Sequence, residues 1–262
     1  MSASVGNVAD PLVATWLGRV DYLEGWRLQD AVASRVRAGG DERLLLLEHD
    51  PVYTIGRRGT LEHLLAGPSE LRAAGASVYR VDRGGDITYH GPGQLVGYPI
   101  VRLGERADLV RYVRGLETAL IHVLADYGIA ARPERGKTGV WVDLPDGRPA
   151  KIAAIGVRVS RGVTTHGFAL NVSTDLTAFA RMVPCGFMHE VASFERLGVW
   201  TEVREVGTRV AVALSAELGR LPALGGVEPA RDVEIAADAP VRSAVDLVGQ
   251  RHSGLTAGST TA

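Results

Sequence analysis

Residues 138–144 (TGVWVDL), 151–160 (KIAAIGVRVS) and 165–172 (THGFALNV) are three short runs rich in β-branched and apolar residues. The Pro145-Asp146-Gly147 turn separates the first two. Runs of this length joined by such turns predict neighbouring strands paired antiparallel. Working outward, residues 12–20, 44–48, 52–55 and 78–81 read as further strands, and two more flank a glycine-rich turn within residues 83–103. Helical periodicity lies between them. Asp21 caps an expected helix to about Arg37, with Leu23, Trp26, Ala31 and Val32 near one face and Gly39-Gly40 as its stop. Residues 108–127 are the clearest helix and residues 201–218 the last, with short helical pieces at 61–65, 69–74 and 175–183. Strands and helices intermix without a regular strand-helix-strand alternation. The expected fold class is therefore α+β, a mixed sheet with flanking helices.

The composition bounds the function. Hydrophobic residues are 46 % of the 262 and charged residues 23 %, enough apolar material for a sizeable core and unlike a disordered or fibrous chain. The net charge of −1 gives no overall pull toward nucleic acid or an anionic membrane. The first 20 residues lack the early basic charge and long apolar run of a targeting signal, and no run approaches the ~20 residues needed to span a bilayer. These features lead to the expectation of a cytoplasmic protein. From about Gly225 small, polar and proline residues dominate. The expected organisation is one catalytic domain over residues 1–220 and a partly disordered extension over residues 221–262.

Several motifs fail. Arg135-Gly136-Lys137-Thr138 resembles the end of a phosphate-binding loop, but Ala131 stands where the first glycine belongs and the segment runs from helix to strand, the reverse of that loop. Gly91-Pro92-Gly93 begins like a dinucleotide fingerprint, yet the next glycine comes one position late and no helix follows. The seven histidines have no tight metal-ligand spacing.

Two counts remain. There is one cysteine, Cys185, in MVPCG, which makes it a packing residue, a bystander or a nucleophile. Of the 29 Lys and Arg residues, 27 are arginine, and Lys137 and Lys151 are the exceptions. A lysine amine can be tuned to give and take a proton, whereas an arginine cannot. Lys151 opens an apolar run and either snorkels outward or points inward. In the second case it loses charge on desolvation and supports a neighbouring thiolate. Residues 83–94 (RGGDITYHGPGQ) are the densest in glycine. Either they bring backbone N–H groups to a ligand or they are two tight hairpin turns.

RGGDITYHGPGQ, Lys151 followed by AAIG, THGFALN at 165–171, MVPCG at 182–186 and EHDPVYTIGRRG at 48–59 together resemble the lipoyl(octanoyl) transferases over roughly residues 10–218. The resemblance implies a fold shared with biotin and lipoate protein ligases and related to the class II aminoacyl-tRNA synthetase core. It implies transfer of an octanoyl group from acyl carrier protein to a lysine of lipoyl domains, in 2-oxoacid dehydrogenase complexes and in the glycine cleavage H protein. It makes Cys185 the acyl-thioester nucleophile and Lys151 the group that lowers its pKa. Arg83, Gly84, Gly85, Asp86, Ile87, Thr88, Tyr89 and His90, then Ala154, Ile155 and Gly156, then Gly167, Phe168 and Ala169, match the substrate-binding segments. No metal, cofactor, nucleic acid or membrane is expected, and the chain is expected to act as a monomer. N–H groups near Gly84-Gly85 are the expected oxyanion donors, and Arg57, Arg58 and Arg83 an expected basic patch for acidic partners. An ATP-dependent ligase on the same fold and a non-catalytic acyl-binding module are the competing readings.

Overall fold

The computed structural model describes residues 10–104, 106, 108–183 and 190–225. Cys185 and the chain beyond residue 225 lie outside them. In chain order the elements are β1 (Pro11–Val20), α1 (Tyr22–Arg37), β2 (Glu42–His49), β3 (Val52–Ile55), α2 (Pro68–Ala73), β4 (Ser77–Arg80), β5 (Ile87–His90), β6 (Gln94–Ile100), α3 (Leu109–Asp126), β7 (Ala131–Glu134), β8 (Lys137–Asp143), β9 (Pro149–Ser160), β10 (Val163–Asn171), β11 (Glu190–Val191), α4 (Val203–Glu217) and β12 (Leu221–Leu224). Asp21 and Asp108 start their helices as expected, each carboxylate accepting first-turn N–H groups. The apolar face of α1 differs from expectation: Tyr22, Gly25, Leu28, Val32, Ala33 and Val36 are buried, whereas Leu23, Trp26 and Ala31 are only half-buried.

The main sheet runs β12-β1-β2-β6-β10-β9-β8-β7, with β11 also on β9. It is mixed: β12-β1-β2 is parallel and β2 through β7 is antiparallel. A three-stranded sheet, β4-β3-β5, stands beside it. The α+β expectation holds. The glycine-rich turn, however, does not close a hairpin, because β5 pairs with β3 while β6 pairs with β2 and β10. Residues 91–93 carry the chain from one sheet to the other. Strand β12 lies past residue 220 and pairs with β1, so the sheet continues beyond the expected domain boundary.

Helices α3 and α4 cover one face of the main sheet, over Leu44, Leu46, Leu95, Val140, Val142, Ile152, Phe168 and Leu170. Helix α1 covers part of the other, over Leu45, Leu47, Val96, Tyr98 and Ala169. No helix among the described residues is long and apolar enough to cross a membrane.

Strands β6 and β10 meet at a position that only glycine fits. Gly97 is the partner of Phe168, and a Cβ there would lie 2.1 Å from the Phe168 ring. Gly97→Ala is expected to destabilise the protein by at least about 1–3 kcal/mol, as overpacked cores do. Thermal denaturation checks this, and Gly97→Ala combined with Phe168→Leu is expected to recover part of the loss because the clash is with ring atoms.

Candidate active site

An irregularity in β9 organises the site. Ala153 pairs with Val140 and Lys151 with Trp141, which leaves Ile152 as one extra residue between the two pairs. Such a bulge reverses the alternation of side chains along the strand. Ala150, Ile152, Ala153 and Val157 all join the α3/α4 core, and so do Val140 and Val142 on β8. Lys151 and Trp141 are thereby turned to the opposite face, together with Ala154 and Gly156 of β9. Cross-strand pairing adds Gly167, opposite Gly156, and Ala169, opposite Ala154. Without the bulge Lys151 would lie on the other face from Ala154.

The arginine-glycine loop covers this face. Gly84 donates its N–H to the Val157 carbonyl at 3.0 Å, and a Cβ on Gly156 would sit 2.8 Å from the Gly84 carbonyl and 3.1 Å from Arg83 Cδ. The three substrate segments expected from sequence therefore converge. Within them the side chains divide. Gly156 lies directly under the loop with Ala154 beside it on the same face, whereas Ala169 packs under α1 and a Cβ on Gly167 would meet the Gly97 carbonyl at 2.1 Å. The Phe168 ring packs on Gly97 and Ile155 against the helix-side core. The Asp86 carboxylate pairs with His63 at 2.7 Å and accepts the Ile87 N–H at 2.7 Å, while Tyr89 packs on Tyr53 and Phe179. Ile87 is buried in the small-sheet core and Thr88 is half-buried on the same strand.

Two expectations need correction. The Gly84 N–H already bonds Val157, so it is not an open oxyanion donor. Arg83 is only 7 % exposed and cannot join Arg57 and Arg58 in a surface patch. Its guanidinium donates to the Thr54 carbonyl at 2.6 Å, the Thr54 hydroxyl at 2.8 Å and the Gly84 carbonyl at 3.0 Å. Burial lowers its pKa, and among the described residues no carboxylate reaches ion-pair distance. A buried, hydrogen-bonded positive charge beside Gly156 is suited to stabilising negative charge developing on a ligand.

A buried polar chain ties the loop to Lys151. The Thr54 hydroxyl, 3.3 Å from His90 Nε2, links Arg83 to that ring, and His90 Nδ1 donates to Gln94 Oε1 at 2.8 Å. Gln94 Nε2 donates to Asn171 Oδ1 at 2.9 Å, and Asn171 Nδ2 to the Ala192 carbonyl at 3.0 Å. Ala192 then donates its N–H to the Lys151 carbonyl at 2.9 Å. His90 is thus a neutral structural link. Thr54, Gln94 and Asn171 were not singled out from sequence, although each lies inside a motif that was.

Two other histidines share this environment. His49 lies between the Val20 carbonyl and the Tyr98 hydroxyl, each at 2.7 Å. His166 has φ +57, rare for a residue with a side chain, and its Nε2 meets Asp82 at 2.7 Å, just before the Arg83 loop. Burial pushes His49 down from 6.5 to about 4 and lowers His90 and His166. These rings favour the neutral form in the fold and take up protons on acid unfolding. Their contribution is complete above the unfolded value near 6.5 and is lost as pH falls toward the folded values. Stability is expected to be flat from about pH 7 to 8 and to fall between about pH 6.5 and 4 by up to ~1.4 kcal/mol per pH unit for each proton taken up. Urea midpoints across that range test this, and equal midpoints at pH 7.5 and 4.5 would contradict it.

Val183 and Glu190 are the described residues on either side of 184–189. Val183 donates to the His63 carbonyl at 2.8 Å. Glu190 and Val191 pair with Ala150 and Lys151. Among the described residues no group of three His, Cys, Asp or Glu side chains could hold a metal ion.

This architecture defines a class. Lipoate-protein ligase A bound with ATP superposes with a TM-score of 0.68 at 19 % identity, covering 84 % of this chain and 90 % of that one. A bipartite lipoate protein ligase from Thermoplasma acidophilum gives 0.66 at 19 % identity over 84 % and 88 %. At such identities the likeness establishes the fold, that of the lipoate ligases. Residues 21–215 match the lipoyl protein ligase A/B catalytic domain. The octanoyltransferase of Solibacter usitatus is 52 % identical over 74 % of this chain and 86 % of its own length, and that of Mycolicibacterium smegmatis 48 % over 84 % and 95 %. The chain belongs to the octanoyltransferase family, and its activity is octanoyl transfer in protein lipoylation.

Proposed function

We propose that octanoyl transfer proceeds through a thioester on Cys185, with octanoyl-acyl carrier protein as donor. The acceptor is a lysine of lipoyl domains, in 2-oxoacid dehydrogenase complexes and the glycine cleavage H protein. The Cys185 thiolate attacks the octanoyl thioester carbonyl, the C–S bond to the carrier breaks, and the leaving pantetheine thiolate takes a proton from the Lys151 ammonium. The acceptor amine then attacks the acyl-enzyme, Lys151 takes its surplus proton, and Cys185 leaves as thiolate. The first exchange trades one thioester for another. The second yields an amide and runs downhill.

The observation that carries this reading is the β9 bulge, which puts Lys151 on the same sheet face as Ala154 and as Gly156, the residue the Arg83 loop packs on. The small residues form two cross-strand pairs, Gly156 with Gly167 and Ala154 with Ala169, and let the Arg83 loop approach the sheet closely beside Lys151. Arg83, Gly84 and Gly85 cover that face, His90 ties the cover to Thr54 and Gln94, and Asp86, Ile87, Thr88 and Tyr89 hold it to the small sheet. Cys185 is six residues before Val191, the partner of Lys151 on the strand edge. The catalytic domain is a single unit extending through β12, with the remaining residues as a non-catalytic extension, and it works as a cytoplasmic monomer. Incubation of octanoyl-carrier protein with an unmodified lipoyl domain and no ATP tests the reading. Amide-linked octanoyl on the acceptor lysine is expected. A requirement for ATP, with an acyl-adenylate formed, would replace it with the ligase reading.

A further inference from the structure

The proposed role of Lys151 requires its amine to be held in place on the site face of the sheet. We propose that Trp141 is a positioning residue for octanoyl transfer, its ring face holding the Lys151 ammonium. The proposal rests on the Lys151–Cys185 reading above.

Trp141 is the cross-strand partner of Lys151, and the Nζ lies 4.8 Å from the ring centroid, inside the roughly 6 Å over which a cation is drawn to an aromatic face. The indole is 1 % exposed, yet it faces away from the α3/α4 core that takes its neighbours Val140 and Val142. Its burial therefore belongs to the site face of the sheet. Lys137 Nζ lies 4.9 Å from the same centroid. In a chain that otherwise uses arginine for its basic side chains, both lysines converge on one indole. The space beside Lys151 is also built. Gly139 has φ +118, and a Cβ there would lie 2.5 Å from the Ala153 carbonyl and 3.4 Å from Lys151 Cε. The Gly139 N–H is fixed at 2.9 Å on the buried carboxylate of Glu117.

Desolvation favours a neutral amine, and an aromatic face opposes it by a factor of roughly 3 to 30 in the protonation equilibrium. Removing the ring should release the Lys151 proton at lower pH, weaken the support for the Cys185 thiolate and slow its reaction near neutrality.

Because the chain has two lysines, the full-length protein labelled with 13Cε-lysine gives two lysine signals, assigned with Lys137→Arg. In Trp141→Leu the Lys151 titration midpoint should fall by about 0.5 to 1.5 pH units, the same 3- to 30-fold factor. Trp141→Phe, which keeps a weaker ring face and the core volume, should lie between. Iodoacetamide alkylation of Cys185 should slow about 3- to 10-fold at pH 7 in Trp141→Leu and be unchanged near pH 10, where the thiol is ionised in any case. A purely structural role would change the rate equally at both pH values. An unmoved Lys151 midpoint and alkylation profile in both variants would overturn the proposal while Lys151→Ala still shifts the profile. If Lys151→Ala leaves the profile unchanged, the Lys151 reading fails and the proposal with it.

Discussion

Replacing Cys185 with alanine will lower octanoyl transfer on the order of 10³-fold or more, because the proposed covalent route then has no nucleophile. The chain contains one cysteine, and that makes the expectation sharp. Serine is the stricter variant. Its hydroxyl occupies similar space, but in the proposed mechanism a neighbouring ammonium cannot ionise it as it would a thiol, so Cys185→Ser should be nearly as inactive as alanine. A non-catalytic acyl-binding module would tolerate the serine. Steady-state transfer from octanoyl-carrier protein to an unmodified lipoyl domain measures the difference, and a variant within tenfold of the wild type would contradict the account.

The second large effect is expected at Lys151. Lys151→Arg keeps a cation beside Trp141 but cannot give a proton to the leaving thiolate or take one from the attacking amine. If proton transfer is the role, kcat should fall by about 10² to 10⁴ while KM stays within a few-fold. If only charge matters, arginine should retain most of the rate. Lys137→Arg supplies the comparison: it makes the same change of chemistry over the same ring, and kcat should stay within about threefold.

Much of this fold is legible in the sequence because it rests on local signals. Val52–Ile55 is apolar and β-branched and forms β3 with the expected ends, and Asp21 and Asp108 mark their helices by the caps they provide. The features that escaped depend on distant partners. Strand β7 contains Pro133, which argues against a strand but is tolerated on the outer edge of the sheet. Strand β12 is stabilised by pairing with β1, more than 200 residues earlier. Residues 83–94 read locally as turns, and only the pairing of β5 with β3 reveals a crossing between two sheets.

The site divides in the same way. Its motifs were visible, and the structure brings the segments around Arg83, Gly156 and Gly167 together. Their internal roles were not visible. Arg83 reads as a surface cation until Thr54 is seen to bury it. His166 reads as one polar residue in a strand until its positive φ and its contact with Asp82 appear. The bulge at Ile152 is hidden in the sequence by the unbroken apolar run 152–155, yet it decides which face Lys151 occupies.

The central claim is that octanoyl rests on Cys185 between donor and acceptor. Intact-mass analysis of the full chain after incubation with octanoyl-carrier protein tests it most directly. The account predicts a mass gain of one octanoyl group, located on Cys185, removed by hydroxylamine, discharged by an unmodified lipoyl domain and absent from Cys185→Ala. Full transfer activity with no such adduct, or an adduct that persists in Cys185→Ala, would contradict it.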